Sequence, residues 1–430
     1  MDTDDAPAQQ PAPASRQHRR VHLLASTPAE WDSLIPAPDL APAPGAPPAA
    51  PQLPFQPSTS RTEAEQREWY ARRLSYAHPA ATSPKPAMVR VAAIQAAPVA
   101  YDLHKSLHKL RSLVFAARDN GAELVVLPEA FLSAYPRHLD FRIGSRTQEN
   151  REWYGRYVRS SVKVPLGAEG RDWLATAPEQ KPEGEFWAFQ QLAQIAKKYA
   201  IFLSVGVVEA SIVGSTLWCT NLLFGPNGVL LSKHRKLQPT AAERIVWSQG
   251  EGSNPIGLKR TAGGEGAGSS DNMPVVPTSV GRIGALICWE NYMPLARYLL
   301  YKKGVEIYLA PTADGRTTWL PTMQHVAMEG RCFVITANQY QAAGDFPPDY
   351  PPSVGDDKPE KLPEVWSRGG SAIVGPLGDV LAGPLWDKEG IIYADLDLGL
   401  IDGAKLDFDP VGHYSRESLL MELLGQVGGS

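Results

Sequence analysis

A thiol, a carboxylate and an ammonium stand at three separated places in this chain: Cys288, Glu129 and Lys236. Each lies at or just after an apolar run, where side chains can lose their water. Cys288 closes Ile283-Gly284-Ala285-Leu286-Ile287 and opens Cys288-Trp289-Glu290-Asn291-Tyr292-Met293-Pro294-Leu295. That run reads as an interior parallel strand, and Pro294 suits the first turn of a helix reaching about Lys303. A thiol between a strand and a helix N-terminus is placed where backbone dipoles favour its anion. Glu129 ends Glu123-Leu124-Val125-Val126-Leu127-Pro128-Glu129, and desolvation there raises a carboxyl pKa toward the range useful to a general base. Lys236 falls in Ser232-Lys233-His234-Arg235-Lys236-Leu237, after the strand-like Gly228-Val229-Leu230-Leu231. Lys233 and Arg235 read as a solvated basic face, while alternation along an extended chain lets Lys236 point inward. Taken singly, the three also fit a packed core cysteine, a solvated turn acid and a surface lysine.

Together the segments resemble the nitrilase superfamily, whose triad runs Glu, Lys, Cys in chain order. Leu127-Pro128-Glu129-Ala130-Phe131 is similar to its glutamate motif and His234-Arg235-Lys236-Leu237 to its lysine motif. Cys288-Trp289-Glu290-Asn291 is similar to the cysteine motif of the true nitrilase branch rather than of the amidase branches. Tyr135-Pro136-Arg137, Glu243-Arg244-Ile245-Val246-Trp247, Ala310-Pro311-Thr312-Ala313-Asp314-Gly315, Glu329-Gly330-Arg331-Cys332-Phe333, Gly369-Gly370-Ser371 and Gly412-His413-Tyr414-Ser415-Arg416 extend the resemblance over residues 88–420.

That resemblance implies an activity and a set of roles. Cys288 as thiolate attacks the carbon of an organic nitrile, Glu129 takes and returns the proton and later activates water, and Lys236 offsets the developing negative charge. Ammonia leaves from a tetrahedral intermediate, and the thioester that remains is hydrolysed to the carboxylic acid. Glu243 matches a second glutamate that supports the lysine and helps position water; otherwise it is an acid at a helix start. Tyr135, Trp289, Tyr292, Thr312 and Trp319 are the expected substrate-binding residues, although apolar side chains of this kind are as often core. The scheme requires no metal and no organic cofactor. Within the branch, Tyr135-Pro136-Arg137 and the C-terminal half are more similar to aryl and arylaliphatic nitrilases than to cyanide hydratases. The alternatives are a nitrile or cyanide hydratase that releases the amide, an amidase acting on small amides, and an inactive scaffold that assembles through the same fold.

Elements alternate along the chain from Val89. Val89 to Gln95 reads as a strand, Leu103 to Asn120 as a helix, Glu123 to Leu127 as a strand, Phe186 to Tyr199 as a helix and Phe202 to Val208 as a strand. Ile307 to Ala310, Val334 to Ala337, Ala372 to Val374 and Ile391 to Leu396 are further strands. This order predicts an α/β layered domain. The resemblance implies the finer fold, an αββα four-layer sandwich that pairs as a dimer and, in true nitrilases, builds spirals. Pro165 to Gly184 and Thr261 to Met273 read as surface insertions.

Composition bounds the rest. With 43% apolar side chains in 430 residues a large core can form, and a net charge of −4 argues against a nucleic-acid partner. No apolar run is long enough for a membrane span. Three cysteines, Cys219, Cys288 and Cys332, make no disulfide framework and fit a reducing, cytoplasmic setting; Cys219 and Cys332 read as packed. His325 borders the pocket or the helix surface, and Gly263 to Gly268 reads as a surface insertion rather than a phosphate loop. Residues 1–87 hold 16 of the 39 prolines and are expected to be largely disordered, with a short helix around Thr62 to Ser75. Arg16 to Arg20 suggest organelle targeting, against which Asp2, Asp4 and Asp5 count. Residues 421–430 form a short tail, and Met88 is a plausible alternative start.

Overall fold

The structure, a computed structural model, describes residues 21–23, 88–137, 146–181, 184–251, 272–351 and 364–427. Before the cysteine segment the strands are β1 (Val21–Leu23), β2 (Val89–Gln95), β3 (Leu124–Val126), β4 (Val162–Lys163), β5 (Phe202–Ala210), β6 (Leu217–Phe224), β7 (Leu230–Arg235), β8 (Val275–Thr278) and β9 (Gly281–Ala285). After it come β10 (Ile307–Leu309), β11 (Phe333–Thr336), β12 (Tyr340–Ala342), β13 (Val365–Val374), β14 (Val380–Trp386) and β15 (Gly390–Leu396). They form two sheets. One has the order β1-β15-β2-β3-β5-β6-β7 with β4 beside β5, and the other β12-β13-β11-β10-β9-β8 with β14 beside β13.

Period-two alternation sorts the strand side chains into separate cores. Val89, Val91 and Ala93 of β2, Leu124 and Val126 of β3, Ile307 and Leu309 of β10, and Phe333 and Ile335 of β11 meet between the sheets. Their neighbours turn the other way. Ala92, Ile94 and Val125 pack under helices α1 (Leu103–Asp119) and α4 (Trp187–Tyr199). Tyr308 and Val334 pack under α6 (Pro294–Lys302) and α7 (Trp319–Gly330). Strands buried on both faces need apolar residues at every position, which is why they read as unbroken apolar runs. The result is the expected αββα sandwich. Between α1 and α4 lie α2 (Gln148–Arg159) and α3 (Trp173–Thr176); α5 (Glu243–Val246), α8 (Leu400–Ala404) and α9 (Glu417–Val427) complete the helices of the described residues.

Several boundaries differ from those read in the sequence. The run ending at Ile287 is strand only to Ala285, because Leu286 already turns toward the cysteine segment. Strand β7 runs on to Arg235 and takes in most of the basic stretch. Helix α2 was not expected: only Trp153 and Tyr157 of its twelve residues are buried, too narrow an apolar stripe to stand out. Of residues 1–87 only Val21–Leu23 are described, paired antiparallel with β15. The helix expected around Thr62 to Ser75 and the glycine-rich stretch Gly263 to Gly268 lie outside the described residues. Helix α9 crosses the boundary placed at residue 420. Among the described residues no helix is long and apolar enough to cross a membrane.

Candidate active site

Glu129, Lys236 and Glu243 form one buried cluster. The Lys236 ammonium donates to Glu129 Oε1 and to Glu243 Oε2, both at 2.7 Å. Lys236 is inward because alternation continues past the end of β7: His234 and Lys236 are buried, and the Lys236 N–H still pairs with the Cys219 carbonyl at 2.8 Å. Its neighbours correct the surface reading. Arg235 chelates the buried Glu209 through two bonds of 2.6 and 2.8 Å and lies 3.9 Å over the Trp218 ring, while Lys233 reaches the same carboxylate. That second ion cluster anchors the strand from its other face.

Glu129 is fixed by backbone as well as by charge. Its Oε2 accepts the Ala313 N–H at 3.0 Å, and its own carbonyl accepts Gln339 Nε2 at 2.7 Å. Arg137 donates to the Ala313 carbonyl and to Gln341, holding that peptide from behind. Burial raises the Glu129 pKa and Lys236 opposes the rise. Burial alone would depress Lys236, but the Glu129 and Glu243 carboxylates outweigh it and hold the ammonium well above the ordinary lysine range. Glu243 receives the Thr240 N–H at 2.7 Å and the Tyr135 hydroxyl at 2.6 Å. Tyr135 therefore braces the second carboxylate.

Strain collects behind these groups. Ala130, Ser133 and Ala134 all have positive φ. A turn this sharp requires Gly206 on β5 opposite it, since a Cβ there would sit 2.2 Å from the Pro128 carbonyl oxygen and 2.7 Å from Glu129 Cα. Gly206→Ala is expected to cost about 1–3 kcal/mol of stability and, by displacing Glu129, on the order of 100-fold in kcat. Thermal unfolding beside turnover checks this; a variant with undiminished kcat would show that the turn can shift without moving the carboxylate.

Cys288 sits on an elbow. It has φ of 51° and begins a 3₁₀ turn, Cys288–Tyr292, that separates it from α6. Its N–H donates to the Pro311 carbonyl at 2.9 Å, its carbonyl accepts Asn291 Nδ2 at 2.7 Å, and its sulfur accepts the Thr312 hydroxyl at 3.2 Å. Asn291 is held in turn by the Tyr308 hydroxyl and by Arg297, which pairs with Glu329. A strained backbone so over-determined keeps one side chain where it is needed. The dipole argument is corrected here: the α6 terminus lies beyond the 3₁₀ turn, and burial with the Glu129 charge pushes the thiol pKa up, against a smaller lowering by Lys236. Burial thus favours the protonated thiol, and a nucleophilic role for it would require a neighbouring base to take the proton.

The expected substrate-binding residues divide. Thr312 touches the sulfur. Trp289 and Tyr292 are half-exposed, meet edge to face at 5.7 Å, and Trp289 donates to Asp314 at 2.9 Å. Trp319 is instead fully buried in the core under α7, its indole N–H taken by Thr336 at 2.8 Å, so it backs Tyr292 rather than lining a wall. His325 lies exposed on α7, 3.6 Å from Glu329. Cys332 is packed as expected. Cys219 is buried too, but its thiol points at Glu129 Oε1 from 3.5 Å, a contact that nothing in its strand-like surroundings signals. Glu290 and His234, quoted in the motifs without a role, lie buried between the lysine and cysteine segments.

Comparison with known proteins gives the family. Residues 90–406 match the carbon-nitrogen hydrolase family. The bifunctional nitrilase/nitrile hydratase NIT4A of Lupinus angustifolius is 44% identical over 77% of this chain and 84% of its own. Nitrilase 2 of Arabidopsis thaliana is 43% identical over 77% of this chain and 87% of its own. Among solved structures, Saccharomyces cerevisiae Nit3, a member of branch 10 of the nitrilase superfamily, aligns with a TM-score of 0.54 at 21% identity, covering 77% of this chain and 98% of that one. The chain belongs to the carbon-nitrogen hydrolase family.

Proposed function

We propose that this protein is a nitrilase, hydrolysing an organic nitrile with two waters to a carboxylate and ammonia. The observation that carries the reading is the buried Glu129–Lys236–Glu243 cluster beside an elbow-mounted thiol, in a chain more than two-fifths identical to named nitrilases. Cys288 Sγ bonds to the nitrile carbon as its proton passes to Glu129 and on to the nitrile nitrogen, giving a thioimidate. Glu129 then takes a proton from water as the water oxygen adds to the same carbon. Lys236 stabilises the negative charge that gathers there. Ammonia departs with a further proton, leaving a thioester, and a second water hydrolyses it with Glu129 again as base. Glu243, held by Tyr135 and Thr240, keeps Lys236 charged and aimed. Trp289 and Tyr292 offer an aromatic face to the substrate, and Thr312 a hydroxyl to the sulfur.

The test is product analysis on phenylacetonitrile and benzonitrile, quantifying acid, amide and ammonia. Acid with matching ammonia is the expected result. A second reading has its own support, since the Lupinus relative is named for both nitrilase and nitrile hydratase activity. At the tetrahedral intermediate, expelling ammonia leads to acid and expelling thiolate leads to amide. A difference of about 1.4 kcal/mol between the two barriers shifts the ratio tenfold. Amide without ammonia would replace the first reading with the second.

We also propose self-association as a dimer, with spiral growth as the larger form, on the strength of membership of the carbon-nitrogen hydrolase family. Light scattering that returns a monomer at micromolar concentration would refute it. Three buried free thiols fit a cytoplasmic setting, which recovery of the enzyme in an oxidising compartment on cell fractionation would overturn.

A further inference from the structure

Glu290 takes part in no step above, yet it is buried and both of its oxygens are engaged. Oε1 accepts the Leu237 N–H at 2.5 Å; Oε2 accepts the Ile287 N–H at 2.6 Å and meets His234 Nε2 at 2.8 Å. Leu237 follows Lys236 and Ile287 precedes Cys288, so one carboxylate binds the immediate neighbours of the ammonium and of the thiol. Those neighbours lie just past the ends of strands in different sheets, β7 in one and β9 in the other. Capping the 3₁₀ turn accounts for the Ile287 bond, whose donor lies in the same turn. It does not account for the Leu237 bond, which joins residues 53 apart in sequence.

The clamp is itself held. His234 Nδ1 lies on the Asn272 carbonyl, and the Asn272 side chain exchanges two bonds with the Arg235 backbone, at 2.8 and 2.9 Å. A carbonyl oxygen only accepts, so Nδ1 carries hydrogen and Nε2 is left to face Glu290. The hydrogen bond between Nε2 and Oε2 seats the carboxylate while its remaining lone pairs serve the two peptide donors.

We propose that Glu290, seated by His234, is a positioning residue that sets the separation of Lys236 and Cys288 across the two sheets. The proposal rests on the nitrilase reading of the site. Glutamine at 290 keeps the size but turns an NH₂ toward one of the two peptide donors, so one tie breaks. In full-length Glu290→Gln, kcat per titrated active-site thiol is expected to fall about 100-fold, with KM changed by no more than about threefold. The rate at which iodoacetamide alkylates Cys288, read by peptide mass and requiring no substrate, should fall about tenfold with it. Val334→Ala, in the apolar core beneath α7, supplies a control that lowers Tm without touching the clamp.

Wild-type kcat per thiol in soluble Glu290→Gln overturns the proposal. So does an equal loss in Val334→Ala, which would reduce Glu290 to fold support. Should the glutamine variant prove insoluble, Glu290→Asp decides: one methylene shorter, it reaches one peptide at a time, and an unchanged kcat per thiol would again overturn the role. If the wild type turns over no nitrile, slower alkylation in Glu290→Gln still supports the clamp while the nitrilase reading alone fails, and unchanged alkylation removes the clamp.

Discussion

Lys236→Ala is expected to lower kcat by at least about 1,000-fold and to destabilise the fold by about 3–5 kcal/mol. Both effects have one origin. The ammonium is the shared partner of two buried carboxylates, and removing it leaves Glu129 and Glu243 facing each other without a cation. Glu129 is already raised by burial and loses the largest influence that lowers it, so its pKa climbs further. A proton taken up there relieves the repulsion and, on the proposed mechanism, disables the base, while nothing remains to stabilise charge at the reacting carbon. Lys233 cannot substitute, because it faces Glu209 on the opposite side of the strand.

The pH dependence follows with a definite sign. In the native protein the Lys236 pKa is raised above its unfolded value, so its contribution is fully present below about 10.4 and is lost only as pH climbs through the folded value. In the variant the group that matters is Glu129. With its folded pKa raised above the unfolded value near 4.3, the protonated form is favoured in the fold, and stability falls as pH rises through the raised value. The deficit relative to wild type should therefore be smaller at pH 5 than at pH 8, and any residual activity should have its acid limb moved to higher pH. Denaturant unfolding at both pH values, with a rate profile, tests this; a deficit independent of pH would mean that the two carboxylates do not share the ammonium's charge.

Part of this site is legible in the sequence because strand geometry is. Glu129 and Cys288 follow apolar runs that can only be interior strands, and period-two alternation turns Lys236 inward beside them. What stayed hidden depends on partners from distant segments. Lys233 and Arg235 look solvated until Glu209, on β5 of the same sheet, is brought against them. Cys219 looks like any strand cysteine until the Glu129 turn crosses over it. Trp319 is aromatic in either setting, and only the packing of α7 decides that it faces the core. The segment from Cys288 to the Pro294 helix start is legible, because Pro294 marks α6 clearly, but nothing in Cys-Trp-Glu-Asn-Tyr signals that it winds as a 3₁₀ turn and sets the thiol apart from the α6 terminus. Glu290 reads as the acid of that turn, and nothing in its own segment shows that its other oxygen reaches the lysine strand.

Cys288→Ala should remove turnover altogether, by at least about 10⁵-fold, while changing stability by no more than about 1 kcal/mol. On the proposed mechanism the bond-forming atom is gone, and no neighbour replaces it. Cys219 is buried with its thiol pKa pushed well up by burial and by Glu129, and Cys332 lies in the core under α7. The fold loses little. One sulfur leaves a small space, the strained φ is one that alanine tolerates as well as cysteine does, and the elbow is held by backbone bonds to Pro311 and Asn291 that the substitution leaves alone. The Thr312 hydroxyl forfeits an acceptor that is weak in any case. Serine is expected to fare no better, because a site that raises a thiol pKa raises that of a far less acidic hydroxyl as well. The measurement is ammonia release beside Tm and oligomer size for both variants. A correctly assembled, silent Cys288→Ala protein separates catalysis from a scaffold role, whereas nitrile hydrolysis surviving in it would place the nucleophile elsewhere and leave the elbow without a purpose.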